Sequence, residues 1–287
     1  MPQLIYCDQN CLIDLAAEPQ DYQDRLKSVI GRRVRFVMSP WHWVEMASNA
    51  NEERLIDLAV YAEFLAPMWA LDRRSIQRNE VHSRFYSFLG IPYAPPQGIG
   101  TLIEAAQDLI GTPIRDGQTY TSVDFARGLW RNREPVLDAH KQNMEARATN
   151  LQRRKKQKMP TELMLRLFRR TVSDLLPVAT PAGLVIDGES RRKFLEQIQR
   201  DDIPTLAVEF AMFEDEVRLG AKLGFQSFAD AQHVILALPR VDVFVTSDNT
   251  LRNRINRIRG RLGFPTAEVA TKKELDRSLG LASVQPV

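Results

Sequence analysis

The sequence predicts an α/β protein in which a parallel sheet flanked by helices is interrupted by a large all-helical insertion. Three short apolar runs indicate the sheet, because each has the composition of a buried strand and leads directly into a helix start: residues 4–7, 34–38 and 241–246. Strands that alternate with helices favour parallel pairing through right-handed crossovers. A long stretch between the second and third runs shows mainly helical patterns.

The first two strands each end where a polar residue begins the next element. Asp8 follows the strand at 4–7, and residues 11–17 then have the pattern of a short helix. The strand at 34–38 leads to Ser39 and Pro40, a cap residue followed by proline at the first helical position. Glu45 is expected about one and a half turns into that helix.

The alternating pattern returns near the C-terminus. Residues 227–230 are expected to open a helix with Asp230 at its start, and the helix should end near residue 239. The strand at 241–246 is the clearest in the chain, and it is followed by Asp248 at the start of another helix. Residues 267–269 are predicted to form an edge strand, before a terminal helix that Thr271 and Glu274 cap.

The chain is therefore predicted to have an α/β core made from its two ends, residues 1–50 and 205–287, and a helical insertion at 51–204. The insertion contains Gly and Pro punctuation and helix starts such as Thr121 with Asp124, but few convincing strands. It has the size of a domain.

Bulk composition is that of a soluble globular protein. The 287 residues are 44% hydrophobic and 26% charged, with a formal net charge of +3. The cysteines, Cys7 and Cys11, are too few and too close together for a disulfide framework, and they are expected to be core thiols. The chain has no basic leader and no run of about 20 apolar residues, so we expect a cytoplasmic protein without a membrane partner.

Four acidic residues fall at strand ends or helix starts, where a parallel sheet gathers side chains at its carboxyl edge: Asp8, Glu45, Asp230 and Asp248. Clustered carboxylates repel one another unless cations neutralise them. The ligand type predicts one or two Mg²⁺ or Mn²⁺ ions. Two such ions about 4 Å apart are a common device for phosphodiester hydrolysis.

Four segments resemble, in order, the four acidic motifs of PIN domains: IYCDQN at 5–10, SPWHWVEM at 39–46, DAQHVILAL at 230–238 and VFVTSDN at 243–249. The resemblance covers roughly residues 1–50 and 225–275. It implies a Mg²⁺- or Mn²⁺-dependent ribonuclease that leaves a 5′-phosphate, as in toxins of toxin–antitoxin pairs and in RNA-processing enzymes. The long insertion has no counterpart in the compact toxin members.

The resemblance assigns the catalytic and metal-binding roles to Asp8, Glu45, Asp230 and Asp248. Each has a simpler structural interpretation: a turn residue for Asp8, a surface residue for Glu45, a first-turn acid for Asp230 and a helix cap for Asp248. We expect two further groups of residues, for substrate binding Asn10, Asn249, Arg252 and Arg254, and for hydrogen bonding to a ligating carboxylate Ser39 and Thr246. His233 is expected to be a packing or surface residue rather than a substrate contact.

Two basic stretches bear on the partner. Residues 151–170 hold eight Lys or Arg and one acid, and residues 252–261 hold five arginines and no acid. The second stretch follows Asp248, where arginines could grip phosphates. A charge run is also the ordinary pattern of a solvated face.

These observations predict a metal-dependent endoribonuclease, with RNA preferred to DNA as its substrate. Two alternatives stay open: a DNA nuclease of the flap or repair type with the same fold, and a non-catalytic PIN-like module that binds RNA or protein. A homodimer, and a protein inhibitor or partner that binds the insertion, are also open.

Overall fold

The computed structural model describes residues 1–49, 51–95, 98–110, 120–155, 161–219 and 225–281. Within these ranges one sheet is built from six strands: β1 (Gln3–Cys7), β2 (Val34–Met38), β3 (Met68–Ala70), β4 (Ile99–Gly100), β5 (Val243–Val245) and β6 (Glu268–Ala270). Their order across the sheet is β4-β3-β2-β1-β5-β6. Neighbours pair in parallel except β3 and β4, which are antiparallel. The predicted α/β class, with a mostly parallel sheet flanked by helices, is confirmed.

The helices of the N-terminal and middle parts are α1 (Gln9–Ala16), α2 (Gln20–Val29), α3 (Pro40–Asn49), α4 (Glu52–Leu65), α5 (Arg73–Phe88), α6 (Leu102–Ile110), α7 (Ser122–Arg131), α8 (Arg133–Lys155), α9 (Thr161–Leu175) and α10 (Gly188–Gln197). After a 3₁₀ turn at Arg200–Asp202 follow α11 (Pro204–Leu219), α12 (Phe225–Ala237), α13 (Asn249–Arg259) and α14 (Lys272–Leu279). None of the helices in the described ranges combines the length and apolar character of a membrane span.

β1 lies in the centre of the sheet, and its composition explains why. Ile5, Tyr6 and Cys7 are consecutive and all buried, which is the pattern of a parallel strand covered by helices on both faces. The strands predicted at 4–7 and 34–38 are confirmed. β5 is shorter than the predicted 241–246, and β6 lies one residue beyond the predicted 267–269.

The expected all-helical character of residues 51–204 is wrong. β3 and β4 lie within that range, and β3 extends the sheet by pairing with β2 through Val37–Met68 and Met38–Trp69. These strands have three and two residues, too short to show a periodic pattern in the sequence. Leu55 and Trp69 also share one hydrophobic core with β1 and β2. The division of the chain at residues 50 and 204 stays a prediction.

The order of the strands creates a switch point between β1 and β5. These two strands are neighbours, but the chain leaves β1 towards β2 on one side and leaves β5 towards β6 on the other. Open parallel sheets bind ligands in the crevice that such a divergence leaves at the carboxyl ends of the strands. Asp8 follows β1, and Thr246 follows β5, at this crevice.

Buried ion pairs fix α13 against α11. Asp215 of α11 is fully buried, and its carboxylate lies 2.9 Å from Arg257 Nη2, 3.8 Å from Arg254 Nε and 3.5 Å from Arg261 Nη2. Burial alone would raise the pKa of Asp215, but the hydrogen bond from Arg257 and the charges of the arginines lower it overall. The cluster therefore stabilises the packing of the helix that begins at Asp248.

We predict that Asp215→Asn lowers the free energy of unfolding by about 3 kcal/mol at pH 7, the usual cost of breaking a buried ion pair. Because the folded pKa of Asp215 is depressed, its contribution is present above the unfolded value of about 3.9 and is lost as pH falls through the folded pKa. Chemical denaturation at a series of pH values measures both effects. Asp21→Asn, which changes a carboxylate 75% exposed, should cost little at any pH, and equal losses in the two variants would contradict the prediction.

Candidate acidic site at the carboxyl edge of the sheet

Asp8 is buried at the end of β1, with 5% of its surface exposed. Its Oδ1 accepts a hydrogen bond from the Cys11 backbone N–H at 2.8 Å, so the residue caps α1. Its carboxylate is also hydrogen-bonded by the side chain of Thr246, beyond the end of β5. The turn-type bond expected of Asp8 is thus present, and it leaves the carboxylate at the switch point of the sheet.

The surroundings of Asp8 disfavour its ionised form. Burial raises its pKa above the usual aspartate value, and the nearby Glu45 raises it further. The hydrogen bonds from Thr246 and Cys11, and the neighbouring His233, act in the opposite direction without reversing the shift. A cation beside Asp8 and Glu45 would favour the ionised forms of both.

Glu45 does not face solvent, as the simpler interpretation of the sequence had it. Only 3% of the residue is exposed, and its Oε2 lies 3.0 Å from Nε2 of His233 on α12. The two residues are 188 positions apart in the chain, so this contact joins α3 to α12. Glu45 is therefore a second buried carboxylate beside Asp8.

A chain of hydrogen bonds continues from His233 away from Glu45. Tyr6 Oη lies 2.5 Å from His233 Nδ1 and 2.7 Å from Ser39 Oγ. One set of proton positions satisfies these three contacts: Ser39 donates to Tyr6, Tyr6 donates to Nδ1, and Nε2–H of His233 donates to Glu45. Ser39 thus contacts Tyr6, and the expected direct bond from its hydroxyl to a ligating carboxylate is replaced by this longer connection. Burial raises the pKa of Tyr6, which keeps the phenol protonated.

His42 fixes the start of α3 against β1. Its Nε2–H donates to the Cys7 carbonyl at 2.8 Å, and its Nδ1 accepts from the Ser39 backbone N–H at 3.1 Å. Burial, together with the neighbouring His233, lowers the pKa of His42 to about 3. The ring is therefore neutral at physiological pH and serves as a rigid link.

Asp248 lies at the same edge, on the β5 side of the switch point. Its backbone N–H donates to Thr246 Oγ1 at 3.1 Å, and its Oδ1 accepts from the backbone N–H of Thr250 at 2.6 Å and of Leu251 at 3.2 Å. Asp248 is thus the cap of α13, as its structural interpretation predicts. The Thr246 hydroxyl thus accepts from Asp248, and the Thr246 side chain also lowers the pKa of Asp8.

Asp230 is not at a helix start. α12 begins at Phe225, so Asp230 lies in the second turn, where it is half-buried. It precedes His233 by three residues, and residues at that spacing share a helix face. Because His233 contacts Glu45, Asp230 belongs to the side of α12 that meets α3, about one turn closer to the carboxyl edge.

The predicted substrate-binding residues separate into two groups. Asn10 and Asn249 are exposed in the first turns of α1 and α13, next to Asp8 and Asp248. Arg252 is one-third exposed, with Nη1 4.0 Å from Glu274.

Arg254, by contrast, is 13% exposed and bonded to Glu216 at 2.5 Å and to the Met212 carbonyl at 3.2 Å. The buried acids of α11 hold the guanidinium of Arg254, and its assignment to phosphate binding stays a prediction. The sequence shows the arginine run, but it does not show which distant acids neutralise it. Of the other basic stretch, residues 151–170, the segment 156–160 lies outside the described residues.

Sequence reasoning missed the roles of Tyr6 and His42, and it treated His233 only as a packing or surface residue. His233 is indeed fully buried, but it also holds Glu45. A usable signal was present, since Tyr6 lies two residues before Asp8 in a strand and so shares its face. A tyrosine in a fully buried strand also needs a partner for its hydroxyl.

The donor set fits a hard divalent cation in its chemistry. Within the described residues no group of three or more His, Cys, Asp or Glu side chains is arranged to hold a metal ion. Mg²⁺, however, is commonly bound through one or two protein carboxylates, with water and substrate phosphate completing its shell. Asp8 and Glu45 can supply those carboxylates.

The fold and the site define an α/β protein with a buried acidic pair at the carboxyl edge of a parallel sheet. No match was found in a scan of protein-family models, among curated proteins or among solved structures.

We predict that Asp8→Asn stabilises the metal-free protein at pH 7. Asparagine is an equally good helix cap, and the change removes a buried charge. Because the folded pKa of Asp8 is raised, its ionisation costs stability at pH values above the folded pKa, and the cost vanishes below the unfolded value of about 3.9. The thermal midpoint of the variant should therefore exceed that of the wild type at pH 7, and the difference should shrink on acidification.

The matched control is Asp14→Asn, an exposed position on the same helix, which should change the midpoint little at either pH. A lower midpoint for Asp8→Asn than for the wild type at pH 7 would show that the carboxylate is stabilising, contrary to this assignment.

Proposed function

We propose that the protein is a metal-dependent nuclease that hydrolyses phosphodiester bonds, with RNA as the first expected substrate. The observation that carries the proposal is the burial of two carboxylates, Asp8 and Glu45, near enough to each other that Glu45 raises the pKa of Asp8. One carboxylate comes from the end of β1 and the other from α3. Both belong to segments that resemble acidic motifs of PIN domains.

Two buried carboxylates at one place are costly without positive charge, because each loses its hydration and repels the other. A Mg²⁺ or Mn²⁺ ion would remove that cost, and when bound it would lower the pKa of water and neutralise charge on a phosphate oxygen. Metal binding would explain why the fold keeps both acids out of water.

The surrounding residues hold the two acids in fixed positions. Thr246 and the Cys11 N–H orient Asp8, and the Ser39–Tyr6–His233 chain orients Glu45. Such supporting hydrogen bonds pre-organise ligands for a metal ion and are commonly worth 10- to 100-fold in affinity or activity. Asp230 on α12 and Asp248 at the cap of α13 are the further acids that the proposal assigns to the site.

The exposed edge offers groups for the substrate backbone. Asn10 and Asn249 project from the first turns of two helices whose N-termini meet at this edge. Helix N-termini favour phosphate because they present backbone N–H groups and the positive end of the helix dipole. Arg252 is the predicted arginine that is still one-third exposed to solvent.

The test is cleavage of end-labelled single-stranded and duplex RNA and DNA by the purified protein, with Mn²⁺ or Mg²⁺ and with excess chelator. We expect metal-dependent cleavage of RNA, loss of more than about 100-fold in Asp8→Asn, and a smaller loss of about 10- to 100-fold in Thr246→Val. The graded response reflects direct and supporting roles.

Asp21→Asn, an exposed acid paired with Arg25, serves as the activity control and should cleave like the wild type. Cleavage that survives in chelator or in Asp8→Asn would refute the proposed chemistry. Cleavage of DNA but not RNA would support metal-dependent phosphodiester hydrolysis and would show that the substrate is DNA instead of RNA.

A further inference from the structure

A cavity of about 610 Å³ lies beside the acidic site, and we call it the edge cavity. It opens at the carboxyl edge of the sheet, since Trp41 follows β2 and Arg74 follows β3. Its other walls come from α8, α9, α11 and α12, which makes it the place where the helical segment meets the sheet.

The edge cavity and the acidic site share two helices. Trp41 precedes Glu45 by four residues on α3, so both side chains lie on one face of the helix. On α12, Gln232 lies in the cavity and is followed directly by His233, the partner of Glu45. Trp41 also contacts Phe228 across the α3–α12 junction, with ring centroids 5.8 Å apart. A ligand in the cavity would therefore lie about one helical turn from Glu45.

Aromatic rings form much of the wall. The ring of Trp41 lies 4.5 Å from that of His140, and Phe210 and Phe213 line the same space. The guanidinium of Arg147 lies 6.0 Å above the ring of Phe228, while its charge is held by Glu216 at 2.9 Å. Flat rings at a cavity of this kind suit a planar ligand.

Two buried polar atoms in the cavity need a partner. Gln232 is 1% exposed, and its Nε2 has no hydrogen-bond partner in the described part of the chain. Nδ1 of His140 also has no hydrogen-bond partner in the described part of the chain. Burial lowers the pKa of His140 to about 4, so the ring is neutral and one of its nitrogens is an acceptor. An unpaired buried donor destabilises the folded protein. A ligand that accepts its hydrogen bond would remove that cost.

We propose that the edge cavity binds one unstacked nucleobase of the nucleic acid strand that the acidic site cleaves. The inference rests on the proposed nuclease function and adds how that site selects its substrate. The base stacks on Trp41 and receives hydrogen bonds from Gln232, while the exposed Arg74 at the rim faces the backbone. Because a paired base cannot enter, the substrate is single-stranded at this position.

Binding without cleavage tests the inference. The probe is a fluorescein-labelled oligoribonucleotide of eight unpaired nucleotides, compared with the same chain made of abasic residues, titrated by anisotropy in EDTA. Wild-type protein should prefer the base-containing strand by about tenfold or more, the range expected of one stacked base.

Two variants place the preference in the edge cavity. Trp41→Leu and Gln232→Met should each lower affinity for the base-containing strand by about tenfold and leave affinity for the abasic strand unchanged. Gln232→Met should not lower the thermal midpoint, because the amide it removes has an unpaired donor. Trp130→Leu, which removes a half-buried tryptophan outside the cavity, should bind like the wild type.

Equal affinity for base-containing and abasic strands, or wild-type affinity in both cavity variants, overturns the inference. The two proposals fail separately. If Gln232→Met abolishes base-dependent binding but the wild type does not cleave in Mn²⁺, the cavity binds a base and the protein is not a nuclease. If the wild type cleaves and neither Gln232→Met nor Trp41→Leu changes KM, the protein is a nuclease and the cavity does not bind the base.

Discussion

The burial of Asp8 beside Glu45 is the constraint on which the rest of the site depends. Neither carboxylate can be stable there without hydrogen bonds, and the fold provides them from β5, α1, α12 and β1. Thr246 and the Cys11 N–H serve Asp8, while His233 serves Glu45 and is held in turn by Tyr6. Even so, the pKa of Asp8 stays raised by burial, which means that the protein alone does not fully compensate the charge.

The helices that carry the other two acids are fixed by separate interactions. α13 begins at the Asp248 cap and is clamped to α11 by Asp215 and its arginines. α12 meets α3 through the Glu45–His233 contact and the Trp41–Phe228 ring pair. The middle of the chain therefore contributes to the site, because α8 and α11 pack against the helices at the edge where the acids lie.

Local patterns predicted much of this arrangement. Apolar runs that end at polar residues located β1 and β2, and cap chemistry located the starts of α7 and α14, where both capping boxes are present. The prediction for β3 and β4 failed because strands of two or three residues carry almost no periodic signal and depend on pairing with β2. No local pattern indicates that Arg254 pairs with Glu216 either, since the two are 38 residues apart in the sequence. Hydrogen-bond partners such as Tyr6 and His233, 227 residues apart, are set by the fold and not by any local pattern.

The binding of Mn²⁺ to the protein, followed by electron paramagnetic resonance, tests the acidic site most directly because it needs no substrate. Wild-type protein should bind Mn²⁺, and Asp8→Asn and Glu45→Gln should each weaken the binding by at least about tenfold, while both retain the shape of the side chain they replace. Asp187→Asn, at an exposed helix cap far along the chain, should bind like the wild type. The assignment of these carboxylates as metal ligands would be contradicted if the wild type failed to bind Mn²⁺. It would also be contradicted if Asp8→Asn and Glu45→Gln bound Mn²⁺ as tightly as the wild type.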